Sequence, residues 1–125
     1  LAIDTKLEAN GEWVVYTHGG STSAHLNTVE WAIKGEELGA GEVLLTSMNN
    51  DGMKSGFAIE IIDQVSKALN IPVIASGGAG NMNHFAEVFN KTKASGALGA
   101  SVFHFKEIAI PALKDYLKEQ NIPIR

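Results

Sequence analysis

The chain has 125 residues, of which 45% are hydrophobic and 19% charged, a composition that predicts a globular domain with a packed core. A formal net charge of −4, with no long run of lysine and arginine, argues against a nucleic-acid partner. No apolar stretch approaches the roughly 20 residues of a membrane helix, and the absence of cysteine excludes disulfides and thiolate metal sites. We therefore expect one cytoplasmic domain over residues 1–125, with neither membrane nor nucleic acid as a partner.

The first part of the chain predicts a strand followed by a hairpin. Residues 1–3 begin an apolar run, and the turn residues Asn10 and Gly11 lead into the strand-prone residues 13–16. Because the chain starts with leucine and enters the run without a preceding polar segment, we expect it to be a fragment of a longer polypeptide.

The rest of the chain alternates between helical patterns and short apolar runs. A helix is predicted over residues 28–38, since Asn27 and Glu30 have the spacing of a capping box and Gly39 is a natural stop. Later apolar runs at 43–45, 72–75 and 96–100 are each followed by a helical pattern with apolar residues three and four positions apart. These helix faces carry Ile59, Ile62, Val65 and Leu69, then Phe85, Val88 and Phe89, and finally Leu113, Tyr116 and Leu117.

This alternation predicts an α/β fold with a parallel sheet, whose continuously apolar strands are buried on both faces. The runs end in short polar or small residues, namely Asp4-Thr5, Thr46-Ser47, Ser76-Gly77 and Ser101. Such a ring is typical of the active-site mouth of a (βα)₈ barrel, whereas an open doubly wound sheet has its polar groups at one switch point. Four strands cannot close a barrel, so the fold is predicted to be a (βα)₄ half-barrel completed by an N-terminal half or by a second copy of the chain.

Three segments could bind an anion at this mouth. The glycine-rich residues 75–81 lie between a strand and a helix, where a backbone without side chains approaches a phosphate closely. Ser101 is predicted to end the next strand and to face the same space as Gly78. The alternative for the loop is a tight turn without a ligand, and the alternative for Asp51 and Gly52 is a simple turn.

Asp4 is the residue whose position most favours catalysis. A carboxylate at the mouth end of an apolar strand is costly to bury without a partner, which favours a functional over a structural role. The four histidines, His18, His25, His84 and His104, have no metal-ligand spacing, so no metal site is predicted.

Taken in order, several motifs resemble one enzyme family. They are L-A-I-D-T-K at 1–6, G-A-G-E-V-L-L-T-S at 39–47, D-G at 51–52, I-A-S-G-G-A-G at 74–80 and A-S-V-F-H-F at 100–105. The chain resembles the cyclase subunits of imidazole glycerol phosphate synthase, in strands five to eight of their barrel. The sister isomerase of histidine biosynthesis shares the Asp-Gly and Ser-Gly-Gly motifs but typically lacks the G-A-G-E and S-V-F-H motifs.

The resemblance implies a lyase reaction. Ammonia from a glutaminase subunit adds to a bis-phosphorylated ribonucleotide substrate, giving imidazole glycerol phosphate and aminoimidazole carboxamide ribotide without a metal or an organic cofactor. Asp4 would be a general acid and base, and Glu42 would belong to a charged ring through which ammonia enters at the opposite barrel end. The residues that would bind substrate or line its phosphate site are Thr46, Asp51, Gly52, Ser76, Gly77, Gly78 and Ser101.

Two segments depart from the family pattern. Residues 49–53 read N-N-D-G-M in place of D-R-D-G-T, and residues 19–24 replace a basic residue followed by Thr-Gly. These changes leave open a paralogue with another substrate, the sister isomerase, and a non-catalytic phosphate-binding half-barrel. The family's other catalytic aspartate and its second phosphate site lie on strands one to four, so the isolated chain is predicted to be inactive.

Overall fold

The computed structural model describes residues 1–125, and it places six strands and five helices along them. None of the helices is long and apolar enough to cross a membrane. The elements in chain order are β1 (Ala2–Leu7), β2 (Trp13–Thr17), β3 (Thr22–Asn27), α1 (Thr28–Glu37), β4 (Val43–Ser47), α2 (Ile59–Ala68), β5 (Val73–Ser76), α3 (Met82–Lys91), β6 (Gly96–Ala97), α4 (Ser101–His104) and α5 (Ile110–Glu119).

The strands form one sheet in the order β3-β2-β1-β4-β5-β6. Strands β1, β4, β5 and β6 are parallel neighbours separated by helices, which confirms the predicted half-barrel arrangement. The hairpin adds two antiparallel strands at the β1 edge, of which the sequence predicted only β2. Strand β3 escaped prediction because its residues, T-S-A-H-L-N, are mostly polar and exposed and form no apolar face.

The core lies between one face of the sheet and the helices. Ile3, Leu45 and Ala75 are paired in register across β1, β4 and β5, and each is at most 1% exposed. Helices α2 and α3 pack on this face through Ile62 and Phe85, among other apolar residues. The expectation that the strands would be buried on both faces is wrong for this chain, because the helices cover only one face and the other carries half-buried residues.

Helix α1 begins and ends where the sequence predicts. The Asn27 Oδ1 atom accepts hydrogen bonds from the Val29 and Glu30 N–H groups at 3.0 and 3.1 Å, and Gly39 follows the helix with a φ of +99°. Only the Asn27 half of the predicted capping box is formed, since the Glu30 side chain donates or accepts no hydrogen bond there.

The last parallel strand is shorter than predicted. Strand β6 contains only Gly96 and Ala97, and the chain then leaves the sheet after the Leu98 N–H donates to the Ala75 carbonyl at 2.8 Å. Ser101 therefore begins the short helix α4 and does not end a strand. We attribute the early end to pairing on one side only, since β6 is an edge strand, and to Val102, whose side chain is fully buried from the helix.

Candidate functional site

A row of polar side chains crosses the uncovered face of the sheet. Asp4 on β1 is paired in register with Thr46 on β4, and Thr46 is paired with Ser76 on β5. On the other side of Asp4 lies Tyr16 of the antiparallel strand β2. Directly paired residues project from the same face of a sheet, so these four side chains share one surface.

The polar residues one position further along the strands behave differently. Thr5 and Ser47 point toward the helices, and both are at most 1% exposed. The Thr5 hydroxyl lies 2.6 Å from that of Thr28, and the Ser47 hydroxyl donates to the Asn50 side-chain carbonyl at 2.8 Å. These buried groups are satisfied within the fold, as buried polar groups generally are.

The side chains of Asp4, Thr46 and Ser76 donate or accept no hydrogen bond to another residue of the chain. Their hydrogen-bonding capacity is therefore available to a bound molecule on the uncovered face. The alternation of paired and unpaired polar residues along the same strands separates structural from candidate functional groups.

A cavity of about 190 Å³ adjoins the Ser76 end of this row. Its lining includes every residue predicted for the phosphate site except Thr46, which lies in the neighbouring row. The lining residues are Asp51, Gly52, Lys54, Ser76, Gly77, Gly78, Ala79, Leu98, Gly99, Ala100 and Ser101. Ser101 thus reaches the predicted place, although it does so from the start of α4 and not from a strand end.

Two glycines shape the cavity wall because no side chain would fit there. Gly77 and Gly78 have φ angles of +90° and +106°. A Cβ atom at Gly77 would lie 2.6 Å from the Ser47 carbonyl oxygen, and one at Gly78 would overlap the Gly56 carbonyl. The Gly56 N–H donates to the Gly78 carbonyl at 2.8 Å, which fixes the two loops against each other.

Backbone donors in this wall are not used by the fold. The N–H groups of Gly78, Ala79, Gly99 and Ala100 donate no backbone hydrogen bond, whereas the next N–H along the loop, that of Gly80, donates to His84 Nδ1 at 3.1 Å. Several free N–H groups around one concave space form the kind of surface that binds phosphate oxygens.

Two charged residues line the cavity, Asp51 and Lys54. Lys54 was not singled out from the sequence, although a lysine two residues after Asp-Gly was a possible signal. Its Nζ atom lies 2.6 Å from Glu107 Oε1, in an ion pair that joins the two sides of the cavity. No three His, Asp and Glu side chains are grouped to hold a metal ion.

A second cluster missed by the sequence reasoning surrounds Tyr16, beside Asp4. The Tyr16 hydroxyl donates to Glu8 Oε1 at 3.0 Å, and this hydrogen bond, with burial and the charge of Glu8, raises the Tyr16 pKa above 10.0. Lys6 Nζ lies 4.5 Å from the Tyr16 ring centroid and donates to the Gly20 carbonyl at 2.5 Å. Lys6 therefore ties the hairpin to the mouth end of β1.

The structure separates Glu42 from the other predicted residues. It immediately precedes β4 and is exposed, whereas Thr46 lies near the other end of that strand. This is the end of the sheet to which the resemblance assigned the ammonia entrance.

These features define an α/β protein built as half of a (βα)₈ barrel, with a polar row and an anion-compatible cavity at the carboxyl ends of its strands. Residues 1–109 match the family model described as histidine biosynthesis protein. The chain belongs to this family.

The similar proteins include the imidazole glycerol phosphate synthase subunit HisF of Hydrogenobaculum sp., which is 57% identical over 125 residues. The HisF subunits of Clostridium botulinum strain Okra and of Flavobacterium johnsoniae are 52% and 51% identical. Each alignment covers 100% of this chain but only 49–50% of the relative. The chain therefore spans about half the length of the curated relatives that it matches.

Proposed function

We propose that the chain is the C-terminal half, strands five to eight, of the cyclase subunit of imidazole glycerol phosphate synthase. In this reaction ammonia reacts with a bis-phosphorylated ribonucleotide to give imidazole glycerol phosphate and aminoimidazole carboxamide ribotide, without a metal or an organic cofactor. The observation that carries the proposal is the row from Asp4 through Thr46 to Ser76, which ends at the cavity with free backbone donors. The identity to HisF subunits supports the same assignment.

The row suggests how the substrate lies. Adjacent strands are about 4.8 Å apart, so Asp4 is roughly 10 Å from Ser76 across two strand spacings. A phosphate in the cavity would then place the reacting carbons and nitrogens of an extended sugar chain near Asp4. Phosphate oxygens would accept hydrogen bonds from the N–H groups of Gly78 and Ala100, among others, and from the Ser101 hydroxyl.

Asp4 is assigned the proton transfers of imine formation and ring closure. A half-buried carboxylate with no partner in the fold can accept a proton from the attacking nitrogen and return it to the leaving group. Thr46, beside it, would orient the substrate through its free hydroxyl.

The remaining parts of the enzyme lie outside this chain. The second catalytic aspartate and the second phosphate site are assigned to an N-terminal half-barrel, which a second copy of the chain could replace structurally but not chemically. A glutaminase subunit would deliver ammonia at the end of the sheet that carries Glu42.

Reconstitution tests the proposed function. The chain is mixed with residues of the Hydrogenobaculum HisF subunit that its alignment leaves uncovered, and ammonium salt replaces the glutaminase. We expect ammonia-dependent formation of imidazole glycerol phosphate by the mixture and none by either part alone. Turnover of the sister isomerase substrate by the mixture, without cyclase activity, would contradict the proposal.

A further inference from the structure

The cavity lacks a free positive charge for the anion that its backbone suits. Asp51 brings one negative charge to the lining, and Lys54 brings the one positive charge. Lys54 is paired with Glu107, so the local charge that a phosphate would meet is negative while this pair persists. Phosphate is a dianion near neutral pH, so repulsion by Asp51 and Glu107 would oppose its entry.

The ion pair is built so that it can open at low cost. The Lys54 and Glu107 side chains are 41% and 39% exposed, and exposed ion pairs contribute little to folding. The other three ion pairs join residues three or four positions apart, whereas this one joins residues 53 positions apart. It is therefore the one salt bridge that links two separate parts of the chain.

The backbone of Lys54, by contrast, is held in place. Its φ is +54°, and its carbonyl packs so closely on Gly80 that a Cβ atom there would overlap it. Two residues later, the Gly56 N–H donates to the Gly78 carbonyl. The root of the lysine is thus anchored at the cavity wall, and only its flexible side chain needs to move to exchange one partner for another.

We propose that Lys54 is the charge-neutralising ligand of the cavity phosphate, and that Glu107 holds its ammonium group in place until the anion displaces it. This inference rests on the proposed function, because it concerns the same phosphate site. In the bound state Lys54 Nζ donates to phosphate oxygens, and Glu107 is released to solvent.

The test is a calorimetric titration of the full chain with inorganic phosphate at low ionic strength. Lys54→Met should weaken binding at least tenfold, and Lys93→Met, which removes an exposed charge far from the cavity, should change it less than twofold. Glu107→Gln should tighten binding at least threefold, because the competitor of the phosphate is gone. Circular dichroism confirms that each variant is folded.

The double variant separates exchange from a general charge effect. If Glu107 acts only by holding Lys54, Glu107→Gln should have little effect in a chain that already carries Lys54→Met. An equal gain in both backgrounds would overturn the exchange and leave simple repulsion. Should Lys54→Met fail to fold, an unchanged affinity of Glu107→Gln would overturn the inference by itself.

The same titration distinguishes this inference from the phosphate site on which it depends. Wild-type chain that binds phosphate, with amide shifts at Gly78 and Ser101, but is indifferent to Lys54→Met would refute only the role of the lysine. Wild-type chain that binds no phosphate, and shows no shift of these amides, would remove the phosphate site as well.

Discussion

Asp4 on β1 and Thr46 on β4 lie side by side on the uncovered face of the sheet, and neither side chain is bonded within the fold. One residue further on, Thr5 and Ser47 occupy the same two strands but face the helices and are fully paired. The two-residue period of a strand thus divides four neighbouring polar residues into a structural pair and a pair available to substrate. Substitutions on the two faces should therefore have different consequences.

The first prediction compares Thr5→Val with Thr46→Val. Both replace a hydroxyl by a methyl group of similar size, but only the first leaves the Thr28 hydroxyl without its partner. We expect Thr5→Val to lower the free energy of unfolding by about 1–3 kcal/mol and Thr46→Val to change it by less than about 0.5 kcal/mol. Urea denaturation measures both. Equal losses would show that the division between the two faces is wrong.

The second prediction concerns Asp4 in the reconstituted barrel. Asp4→Asn keeps the shape of the side chain but removes proton transfer, so kcat should fall by about 10²–10⁴ while phosphate affinity stays within about twofold. Steady-state kinetics and phosphate titration on the same preparation measure the two quantities. A variant with nearly normal kcat would show that Asp4 is only structural.

The third prediction uses two glycines with similar backbone angles. Gly78 and Gly39 have φ angles of +106° and +99°, but a Cβ atom at Gly39 would meet nothing within 4 Å. Alanine at either position costs about 1–3 kcal/mol of strain. Only Gly78→Ala also collides with Gly56, so it should destabilise the chain more and abolish phosphate binding, whereas Gly39→Ala should leave binding intact.

Amide shifts in an NMR titration with phosphate locate that effect. In the wild-type chain, the Gly78 and Ser101 amides should move first, because they line the same cavity. Shifts confined to other loops would remove the site from this cavity.

The fourth prediction concerns pH. The hydrogen bond to Glu8 raises the Tyr16 pKa, because it favours the neutral phenol over the phenolate. A raised pKa in the folded state means that the hydrogen bond contributes stability below about pH 10 and that this contribution is lost as Tyr16 ionises at higher pH. Ultraviolet titration should show one phenol ionising above the normal range in the wild type. Glu8→Gln should return it to that range, and an unchanged curve would contradict the assignment.

Much of this site was predictable from the sequence because it depends on local patterns. Apolar runs located the strands, the residues that follow them located the mouth, and glycines located the loop against which Gly56 packs. Strand β3 was missed because polar residues can form an edge strand without an apolar face. The early end of β6 and the pairing of Lys54 with Glu107 depend on contacts between distant parts of the chain, which a pattern in the sequence does not specify.

The last prediction concerns the assembly of the isolated chain. Leu44 and Ile74 lie on the uncovered face of the sheet, paired in register and only half-buried, and β6 has no neighbour on its outer side. Apolar residues and an open strand edge favour pairing with another chain, and a two-fold arrangement of two half-barrels would bring eight parallel strands together.

We therefore expect the isolated chain to sediment as a dimer or a higher oligomer at micromolar concentration. Leu44→Lys should produce monomers, because it places a charge in the apolar contact, whereas Leu38→Lys should not, because Leu38 is 72% exposed outside this face. The oligomer should still lack cyclase activity, since two copies duplicate Asp4 and the cavity without supplying the second aspartate. Sedimentation equilibrium and a cyclase assay on one sample test both statements. A stable wild-type monomer would contradict the pairing of the open faces, and full activity of the isolated chain would contradict the division of the site between two halves.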